Sequence, residues 1–333
     1  MIERQLYLNQ IRNFIGKDII KVITGLRRSG KSVFLKQIMA MIESDHKIYI
    51  DFDLMPNFKY TDAEKLHQHI VDQLNPTGKT YIFLDEIQEV EGFEKVLNSL
   101  KTGYDVDIYV TGSNSRLLSG ELATYLAGRY VTIQMYPFSY GEFLQCRPEG
   151  SFNDYLVEGG LPFVTDLNPN EQDRRKMIDD IFNSVVLKDI VARHKIRDVN
   201  LLRNLVLYVL SQVGHIFSAN SISKYLKSQK QPVSPTTILN YLEACESAFL
   251  FNRVKFEDSK GKRMLAVNDK YYTVDHGFRE ALVGGNIENI ELVLENIVYY
   301  ELLRRGFEVN VGRNGGSIIS VVGKSTMEIM EPF

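Results

Sequence analysis

Eight consecutive residues near the start of the chain have the types and spacing of a phosphate-binding loop. They follow the pattern G-x-x-x-x-G-K-[ST], in which the glycines let backbone amides point inward at phosphate oxygens. The lysine adds positive charge at the β- and γ-phosphates, and the serine hydroxyl is a ligand for magnesium. The pattern predicts a site for ATP or GTP with Mg²⁺, formed by Gly25, Leu26, Arg27, Arg28, Ser29, Gly30, Lys31 and Ser32.

The context of this loop supports the prediction, but the roles of its two arginines stay open. A strand-like segment at 19–24 precedes the loop, and an apolar helix follows it. The N-terminus of such a helix attracts anions through its dipole. Arg27 and Arg28 either contact phosphates or a neighbouring subunit, or they are solvated loop side chains.

Two carboxylates follow an apolar strand candidate further along the chain. Residues 81–84 are Tyr-Ile-Phe-Leu, and Asp85 and Glu86 come next. A carboxylate at the tip of such a strand can hold magnesium beside Ser32, and a second one can take a proton from water. We therefore predict Asp85 as a magnesium ligand and Glu86 as a general base. A base next to the magnesium carboxylate favours hydrolysis over transfer to a bound acceptor.

Small polar residues follow the next strand candidate, and an arginine precedes the one after it. If the sheet places the first of these strands between the phosphate-loop strand and the Asp85 strand, Asn114 or Ser113 can orient the water or sense the γ-phosphate, with Asn114 preferred. The alternative is a capped loop, because Ser and Asn favour helix starts. Arg129, with Arg116 as second candidate, can stabilise transition-state charge in cis or from a neighbouring subunit. A surface ion pair is the alternative for Arg129.

Five short apolar strand candidates alternate with helical segments up to residue 135. Such alternation predicts a parallel sheet with helices on both faces, and continuous apolar runs are typical of strands buried on both sides. The strands are predicted at 19–24, 47–52, 80–84, 107–111 and 130–135, and the helices at 33–42, 62–74, 93–100 and 117–126.

Helical periodicity dominates the second half of the chain. Three helices and two alternating strands in that order predict a winged helix-turn-helix. One further helix and one strand follow, and the sequence beyond Arg313 shows little pattern. The predicted bounds are 200–212, 219–228 and 235–249 for the three helices, 250–256 and 263–267 for the two strands, and 293–305 and 307–312 for the last helix and strand.

Taken together, the motifs resemble those of the prokaryotic AAA+ ATPases that carry a C-terminal domain of unknown function. The resemblance extends roughly from Ile2 to Arg313. It implies ATP as the nucleotide, an α/β P-loop sheet with strand order 5-1-4-3-2, a winged-helix segment, and a C-terminal domain similar to restriction endonucleases. It rests on the order and spacing of residues 25–32, Leu-Asp-Glu-Ile-Gln at 84–88, Thr-Gly-Ser-Asn-Ser at 111–115, Gly-Arg at 128–129 and Gly-Gly-Leu-Pro at 159–162.

The end of the chain departs from that family. A nuclease-like domain would continue with an Asp-bearing strand and a Glu-x-Lys strand that hold a metal. Neither follows Arg313, and Glu328 and Glu331 have no lysine two residues on. We expect an incomplete or frame-altered tail without nuclease chemistry, which metal-dependent DNA cleavage by the purified chain would contradict. The predicted domains are a P-loop ATPase domain at 1–150, a helical lid or linker at 151–198, a winged helix at 199–275 and an incomplete nuclease-like domain at 276–333.

Charge is unevenly distributed along the chain. The formal net charge is −3, but residues 190–265 carry 12 Lys and Arg against 5 acidic residues, a local net charge of +7. Such asymmetry favours an anionic partner. The basic residues include Lys260, Lys262 and Arg263 on the predicted wing and Lys224 and Lys227 at the second helix.

The third helix of this segment argues against base-specific DNA recognition. It carries no Lys or Arg, the residues that usually reach guanine edges. DNA binding and a protein-interaction role therefore remain equal alternatives. The polar residues of this helix include Thr236, Thr237, Asn240, Tyr241, Glu243 and Glu246.

Composition excludes several other classes of protein. Cys146 and Cys245 are far apart and have no metal-ligand neighbours, so neither a disulfide framework nor a zinc site is expected. The sequence has no signal-peptide pattern and no apolar run of ~18 residues, so we expect a cytoplasmic protein outside the membrane. The predicted function is Mg²⁺-dependent ATP hydrolysis that drives a conformational switch of the winged-helix and C-terminal region. The alternative is a nucleotide-gated DNA- or protein-binding module with little turnover, and a homo-oligomer also remains open.

Overall fold

The computed structural model describes residues 2–113, 128–257, 269–313 and 317–322. The chain forms two compact units, Met1–Met135 and Tyr136–Phe333. The predicted helix at 117–126 and the predicted strand at 263–267 lie outside the described residues. Within the described ranges, no helix is both long enough and apolar enough to cross a lipid bilayer.

The first unit is built around a five-stranded sheet. Its strands are β1 (Ile20–Gly25), β2 (Lys47–Asp51), β3 (Thr80–Asp85), β4 (Val106–Gly112) and β5 (Tyr130–Met135). All neighbouring strands are parallel, in the order β2-β3-β4-β1-β5. Read from the other edge, this is 5-1-4-3-2, so the predicted fold class and strand order are confirmed.

Helices cover both faces of this sheet because alternate strand residues point to opposite sides. They are α1 (Gln5–Arg12), α2 (Lys31–Met41), α3 (Ala63–Val71) and α4 (Phe93–Gly103), and 3₁₀ turns occupy Met55–Tyr60 and Ile87–Glu89. On β1, Val22 belongs to the core beneath α3 and α4, whereas Ile23 belongs to the core beneath α1 and α2. The carboxyl ends of all five strands therefore lie at one edge of a sheet that is buried on both faces.

The second unit begins with a series of helices. They are α5 (Tyr140–Cys146), α6 (Phe152–Glu158), α7 (Pro162–Leu167), α8 (Glu171–Ser184) and α9 (Ala192–His194). Ser139 and Ser151 start α5 and α6 with capping boxes, in which the serine and the acidic residue three positions later cap each other's backbone amides. A π-helical segment, Val185–Val191, joins α8 to α9.

A second sheet follows three further helices. The elements are α10 (Val199–Ser211), β6 (Ile216–Phe217), α11 (Ala219–Ser228), α12 (Pro235–Ser247), β7 (Phe251–Glu257), β8 (Asp269–Thr273), α13 (His276–Leu282), α14 (Ile290–Arg304), β9 (Glu308–Arg313) and β10 (Ser317–Val322). The strand order is β10-β9-β7-β8-β6. Among the described strand pairs of this second sheet, β7–β9 is parallel and the other three are antiparallel.

Three strands of this sheet were not predicted. β6 has only two residues, and β10 lies beyond Arg313, where the sequence shows little pattern. β8 begins with two charged residues, Asp269 and Lys270, which are buried because they pair with Arg253 at 2.7 Å and with Glu295. Buried ion pairs of this kind remove the apolar alternation by which a strand is recognised.

The Gly-Gly turn after α6 is explained by close packing within the second unit. A Cβ on Gly159 would lie 2.2 Å from Asp275 Oδ1, and one on Gly160 would lie 2.3 Å from the carbonyl oxygen of Phe138. Asp275 accepts hydrogen bonds from the amides of Gly160 and Gly277 at 2.8 and 2.7 Å. The amide of Phe138 donates to the carbonyl oxygen of Gly160 at 2.6 Å, which ties the chain after β5 to this unit.

The predicted domain boundaries at 150, 198 and 275 stay predictions.

Candidate nucleotide-binding site

The phosphate loop connects the end of β1 to the first turn of α2. Gly25 ends the strand with φ of +143°, and a Cβ there would lie 2.2 Å from the carbonyl oxygen of Met135. Both the backbone conformation and the lack of space therefore require glycine. Gly30 has φ of +96° and precedes Lys31, the first residue of α2. The loop thus lies at the positive N-terminal end of a helix, a geometry that binds phosphate.

Two polar side chains of the loop are buried. Lys31 Nζ donates to the carbonyl oxygen of Leu26 at 3.1 Å and lies 3.7 Å from Glu86 Oε1. Ser29 is fully buried, and its Oγ has no hydrogen-bond partner among the described residues. A buried hydroxyl without a partner raises the free energy of the site, and an ammonium group binds phosphate oxygens strongly. Both observations fit a triphosphate ligand.

Asp85 is the centre of a hydrogen-bond network at the carboxyl ends of the strands. Its Oδ1 accepts from Ser32 Oγ at 3.1 Å and from Thr111 Oγ1 at 2.5 Å. Its Oδ2 accepts from the Tyr49 hydroxyl at 3.1 Å. Burial raises the pKa of Asp85 above its ordinary value, although the hydrogen bonds from Thr111 and Ser32 act in the opposite direction.

Ser32 and Asp85 together fit a magnesium ion that is bound with a triphosphate. Mg²⁺ usually keeps several waters and takes one or two protein ligands beside substrate phosphates. Burial is the main cause of the raised pKa of Asp85, and a divalent cation beside the carboxylate would stabilise its ionised form. The described part of the chain holds no cluster of three or more His, Cys, Asp or Glu side chains that could form a separate metal site.

Glu86 follows β3 in a left-handed backbone conformation, with φ of +57°. Its amide donates to Thr111 Oγ1 at 2.9 Å, so the same threonine contacts both Asp85 and Glu86. Its Oε2 accepts a hydrogen bond from Gln88 Nε2, and its Oε1 faces Lys31. The carboxylate is therefore held between a cation and an amide.

The charged environment keeps the Glu86 carboxylate ionised. Burial by itself raises the pKa of Glu86, but Lys31, Gln88 and Arg27 together outweigh burial and hold the pKa below its ordinary value. An ionised carboxylate can accept a proton from water, so its state suits the role of general base.

The structure brings Lys31, Ser32, Asp85 and Glu86 together at one edge of the sheet. Ser113 is buried at the end of β4 and close enough to Glu86 to lower its pKa. The individual catalytic and binding roles of these residues stay predictions.

The sequence analysis also singled out Asn114, Arg116 and Arg129. Asn114 and Arg116 lie outside the described residues. Arg129 immediately precedes β5, and its carbonyl oxygen accepts from the amide of Ile20 at the start of β1. Arg129 therefore lies at the amino ends of the parallel strands, about 17 Å along a strand from the phosphate loop. The prediction that Arg129 acts on the phosphate within its own chain is therefore wrong. Its action from a neighbouring copy stays a prediction.

The two loop arginines differ in their surroundings. Arg27 is half-buried, and its positive charge reaches Glu86. Arg28 is exposed and has φ of +67°. The structure therefore places Arg27 close to the candidate catalytic carboxylate, whereas the phosphate, subunit and solvent interpretations of Arg28 stay open.

The sequence analysis did not single out four residues that contact the site. Thr111 and Tyr49 bind Asp85, Gln88 binds Glu86, and Arg4 Nη1 donates to the carbonyl oxygen of Ser29 at 3.3 Å. Thr111 had a detectable signal, because it is a polar residue at the end of an apolar strand beside the acidic one. Arg4 had none, since 25 residues separate it from Ser29.

Two family models match this chain. A model of the AAA domain matches residues 17–144, and a model of a domain of unknown function (DUF8612) matches residues 149–289. An uncharacterized protein of Haemophilus influenzae is 39% identical over 99% of this chain and 86% of its own length. The chain belongs to the AAA-type P-loop ATPases.

Other relatives of this AAA-type chain are more distant. An uncharacterized protein of Methanocaldococcus jannaschii is 30% identical over 87% of this chain and 68% of its own length. The Walker-type ATPase PABY2304 of Pyrococcus abyssi superimposes with a TM-score of 0.57 over 84% of this chain and 95% of its own, at 14% identity. At that identity the superposition shows a shared fold.

Proposed function

We propose that this AAA-type chain hydrolyses ATP with Mg²⁺ and uses the reaction to switch the conformation of its second unit. The observation that carries the proposal is the Glu86 carboxylate, which is buried, has a lowered pKa and lies 3.7 Å from Lys31 of the phosphate loop. Asp85 and Ser32 supply magnesium ligands beside it. ATP is proposed over GTP because of the family.

The chemical step that these residues support is attack by water on the γ-phosphorus. Glu86 takes a proton from the water while the water oxygen forms a bond to the γ-phosphorus. The bond from phosphorus to the β,γ-bridging oxygen breaks, and its electron pair stays with ADP. Lys31 and the loop amides stabilise the negative charge on the phosphate oxygens. Mg²⁺, held by Ser32 and Asp85, would supply charge neutralisation for the phosphates.

Replacing Glu86 tests this proposal. Glu86→Gln keeps the shape of the side chain and its contact with Gln88 but removes the base. We expect turnover to fall by about 10²–10⁴-fold while Mg²⁺-ATP binding survives. Steady-state phosphate release and equilibrium nucleotide titration measure the two quantities, with GTP as the comparison ligand. Negligible turnover by the unmodified chain would instead support the alternative, a nucleotide-gated binding protein.

A nucleic-acid partner is supported by the second unit. The order α10, β6, α11, α12, β7 and β8, with antiparallel β6–β8 and β7–β8 pairs, favours a winged helix. Lys224 and Lys227 are exposed on α11, whereas Lys260, Lys262 and Arg263 lie outside the described residues. Binding to duplex DNA that weakens steeply with salt, and weakens further when these five residues become alanine, would support DNA over a protein partner. A cytoplasmic location and a homo-oligomer remain proposals.

A further inference from the structure

Gln88 has an unusual hydrogen-bond arrangement beside the candidate base. It lies in the 3₁₀ turn Ile87–Glu89 directly after Glu86, and its Nε2 donates to Glu86 Oε2. Its own Oε1 is buried and has no hydrogen-bond partner among the described residues. Among the described residues, the Glu86 carboxylate is therefore the group that orients the side-chain amide of Gln88.

The backbone around Gln88 is fixed independently of this side-chain contact. The Glu86 amide donates to Thr111 Oγ1 at 2.9 Å, and Ile87 is fully buried in the core beneath α3 and α4. The amide of Val90 donates to the carbonyl oxygen of Ile87 at 3.0 Å and closes the turn. Because the turn is already held, the Gln88 side chain is not needed to form it.

A glutamine that serves only the fold gains no stability from a carbonyl oxygen that is buried and unpaired. Such an oxygen costs folding free energy, since water is lost and no donor replaces it. An apolar side chain of the same length would avoid that cost. The arrangement is typical of a site that gives up stability to fix a functional group.

The contact also divides the two carboxylate oxygens of Glu86 between different tasks. Oε2 is occupied by Gln88, whereas Oε1 faces Lys31 Nζ at 3.7 Å, beyond hydrogen-bond distance. Oε1 is therefore the carboxylate oxygen that faces the phosphate-loop lysine. A carboxylate that is free to rotate would spend only part of its time in that orientation.

We propose that Gln88 is a positioning residue for ATP hydrolysis: it fixes the Glu86 carboxylate so that Oε1 accepts the proton of the attacking water. The proposal rests on the proposed function, in which Glu86 is the general base. Gln88 acts through Glu86 and not on the nucleotide. Its loss should therefore lower kcat without weakening nucleotide binding.

Gln88→Met in the full chain tests the proposal, because methionine has a similar length and no polar donor. We expect kcat to fall about 10-fold, which corresponds to one lost hydrogen bond to a charged group, while the Kd for Mg²⁺-ATP changes less than about 2-fold. The matched control is Gln68→Met. Gln68 Nε2 also donates to a carboxylate, Asp72 Oδ1 at 2.7 Å, but this pair is exposed on α3. We expect the control to leave both quantities unchanged.

A double substitution separates positioning from a general structural effect. If Gln88 acts only through the Glu86 carboxylate, Gln88→Met should change the residual single-turnover rate of Glu86→Gln less than about 2-fold. The same 10-fold loss in both backgrounds would overturn the proposal. Wild-type kcat in Gln88→Met, or an equal loss of kcat and nucleotide affinity, would also overturn it.

The same experiments distinguish failure of the inference from failure of the proposed function. Glu86→Gln without turnover, together with a fully active Gln88→Met, would reject the role of Gln88 and keep Glu86 as the base. Undiminished turnover in Glu86→Gln would reject the base itself, and with it both proposals. Unfolding midpoints of all variants, measured without nucleotide, show whether each one is folded.

Discussion

The sheet of the first unit carries two buried lysine–carboxylate pairs, one at the amino ends of its strands and one at their carboxyl ends. At the amino ends of the strands, Lys21 on β1 contacts Asp107 on β4, and both side chains have no exposed surface. Asp107 also accepts from the amide of Gly16 at 2.7 Å and from the Tyr109 hydroxyl at 2.8 Å, while Lys21 donates to the carbonyl oxygen of Lys17 at 3.0 Å. Both carboxylate oxygens of Asp107 and the ammonium group of Lys21 therefore have hydrogen-bond partners.

The pair at the carboxyl ends, Lys31 and Glu86, is incomplete by comparison. The two charges are 3.7 Å apart, and Ser29 Oγ and Gln88 Oε1 nearby are buried without a partner among the described residues. Buried polar groups normally have partners, so unused hydrogen-bond capacity at one edge indicates a place for a ligand. Both pairs are charged and buried, so neither property distinguishes them. What differs is that the Lys21–Asp107 pair uses its hydrogen-bond capacity within the chain, whereas unused capacity remains beside the Lys31–Glu86 pair.

The largest effect is expected on the free energy of unfolding, at the Lys21–Asp107 pair. Lys21→Met removes the ammonium group and leaves Asp107 buried with its other two donors. We expect the free energy of unfolding to fall by about 3–5 kcal/mol in urea titrations, because breaking a buried pair strands the remaining charge. ATP affinity of the folded variant should stay within about 2-fold. A 10-fold loss of affinity would show that this edge also serves the nucleotide, and the comparison would break down.

At the incomplete pair, the same substitution should affect binding more than folding. Lys31→Met removes a charged donor to the phosphates, so ATP affinity should fall on the order of 100-fold in nucleotide titrations. The free energy of unfolding without nucleotide should fall by less than about 1.5 kcal/mol, since Glu86 keeps its contact with Gln88 and the pair is long. A loss of stability as large as that of Lys21→Met would contradict the distinction between the two pairs.

A smaller effect is expected at the unpartnered hydroxyl. Ser29→Ala removes an Oγ that makes no hydrogen bond to the described residues, so the unfolding midpoint without nucleotide should not fall. If the hydroxyl serves a phosphate, ATP should bind about 5-fold more weakly and should raise the unfolding temperature less than in the unmodified chain. Thr111→Val is the matched control. It removes two hydrogen bonds at Asp85 and Glu86 and should lower stability without nucleotide.

The two pairs also differ in how far the sequence predicts them. The site could be predicted because each of its motifs lies within a few consecutive residues. These motifs are the phosphate loop with Lys31 and Ser32, and the adjacent Asp85 and Glu86. The Lys21–Asp107 pair depends on strand register between residues that are 86 positions apart, which local patterns do not encode. The sheet order followed from the family resemblance.

The same limit explains the errors of residue placement. Arg129 was considered for catalysis from its position before β5, but parallel pairing with β1 puts that end of the strand opposite the phosphate loop. Gln88 was included in a recognised motif, yet its contact depends on the left-handed conformation of Glu86. Tyr49 requires the register that places β2 beside β3.

The smallest expected effect concerns pH. Burial raises the pKa of Asp85, whereas Lys31, Gln88 and Arg27 outweigh burial and lower that of Glu86. On acidification Asp85 therefore gains its proton first and loses affinity for Mg²⁺, while Glu86 stays ionised.

In steady-state profiles, kcat/KM reports the free enzyme and kcat reports the nucleotide complex. We expect the acidic limb of kcat/KM to lie at higher pH than that of kcat, with a few-fold loss of kcat/KM appearing first. Excess Mg²⁺ should move the limb of kcat/KM to lower pH, because the cation competes with the proton for Asp85. Coincident acidic limbs that do not respond to Mg²⁺ would argue that Asp85 is not the magnesium ligand, and would leave the incomplete pair as a site for phosphate alone.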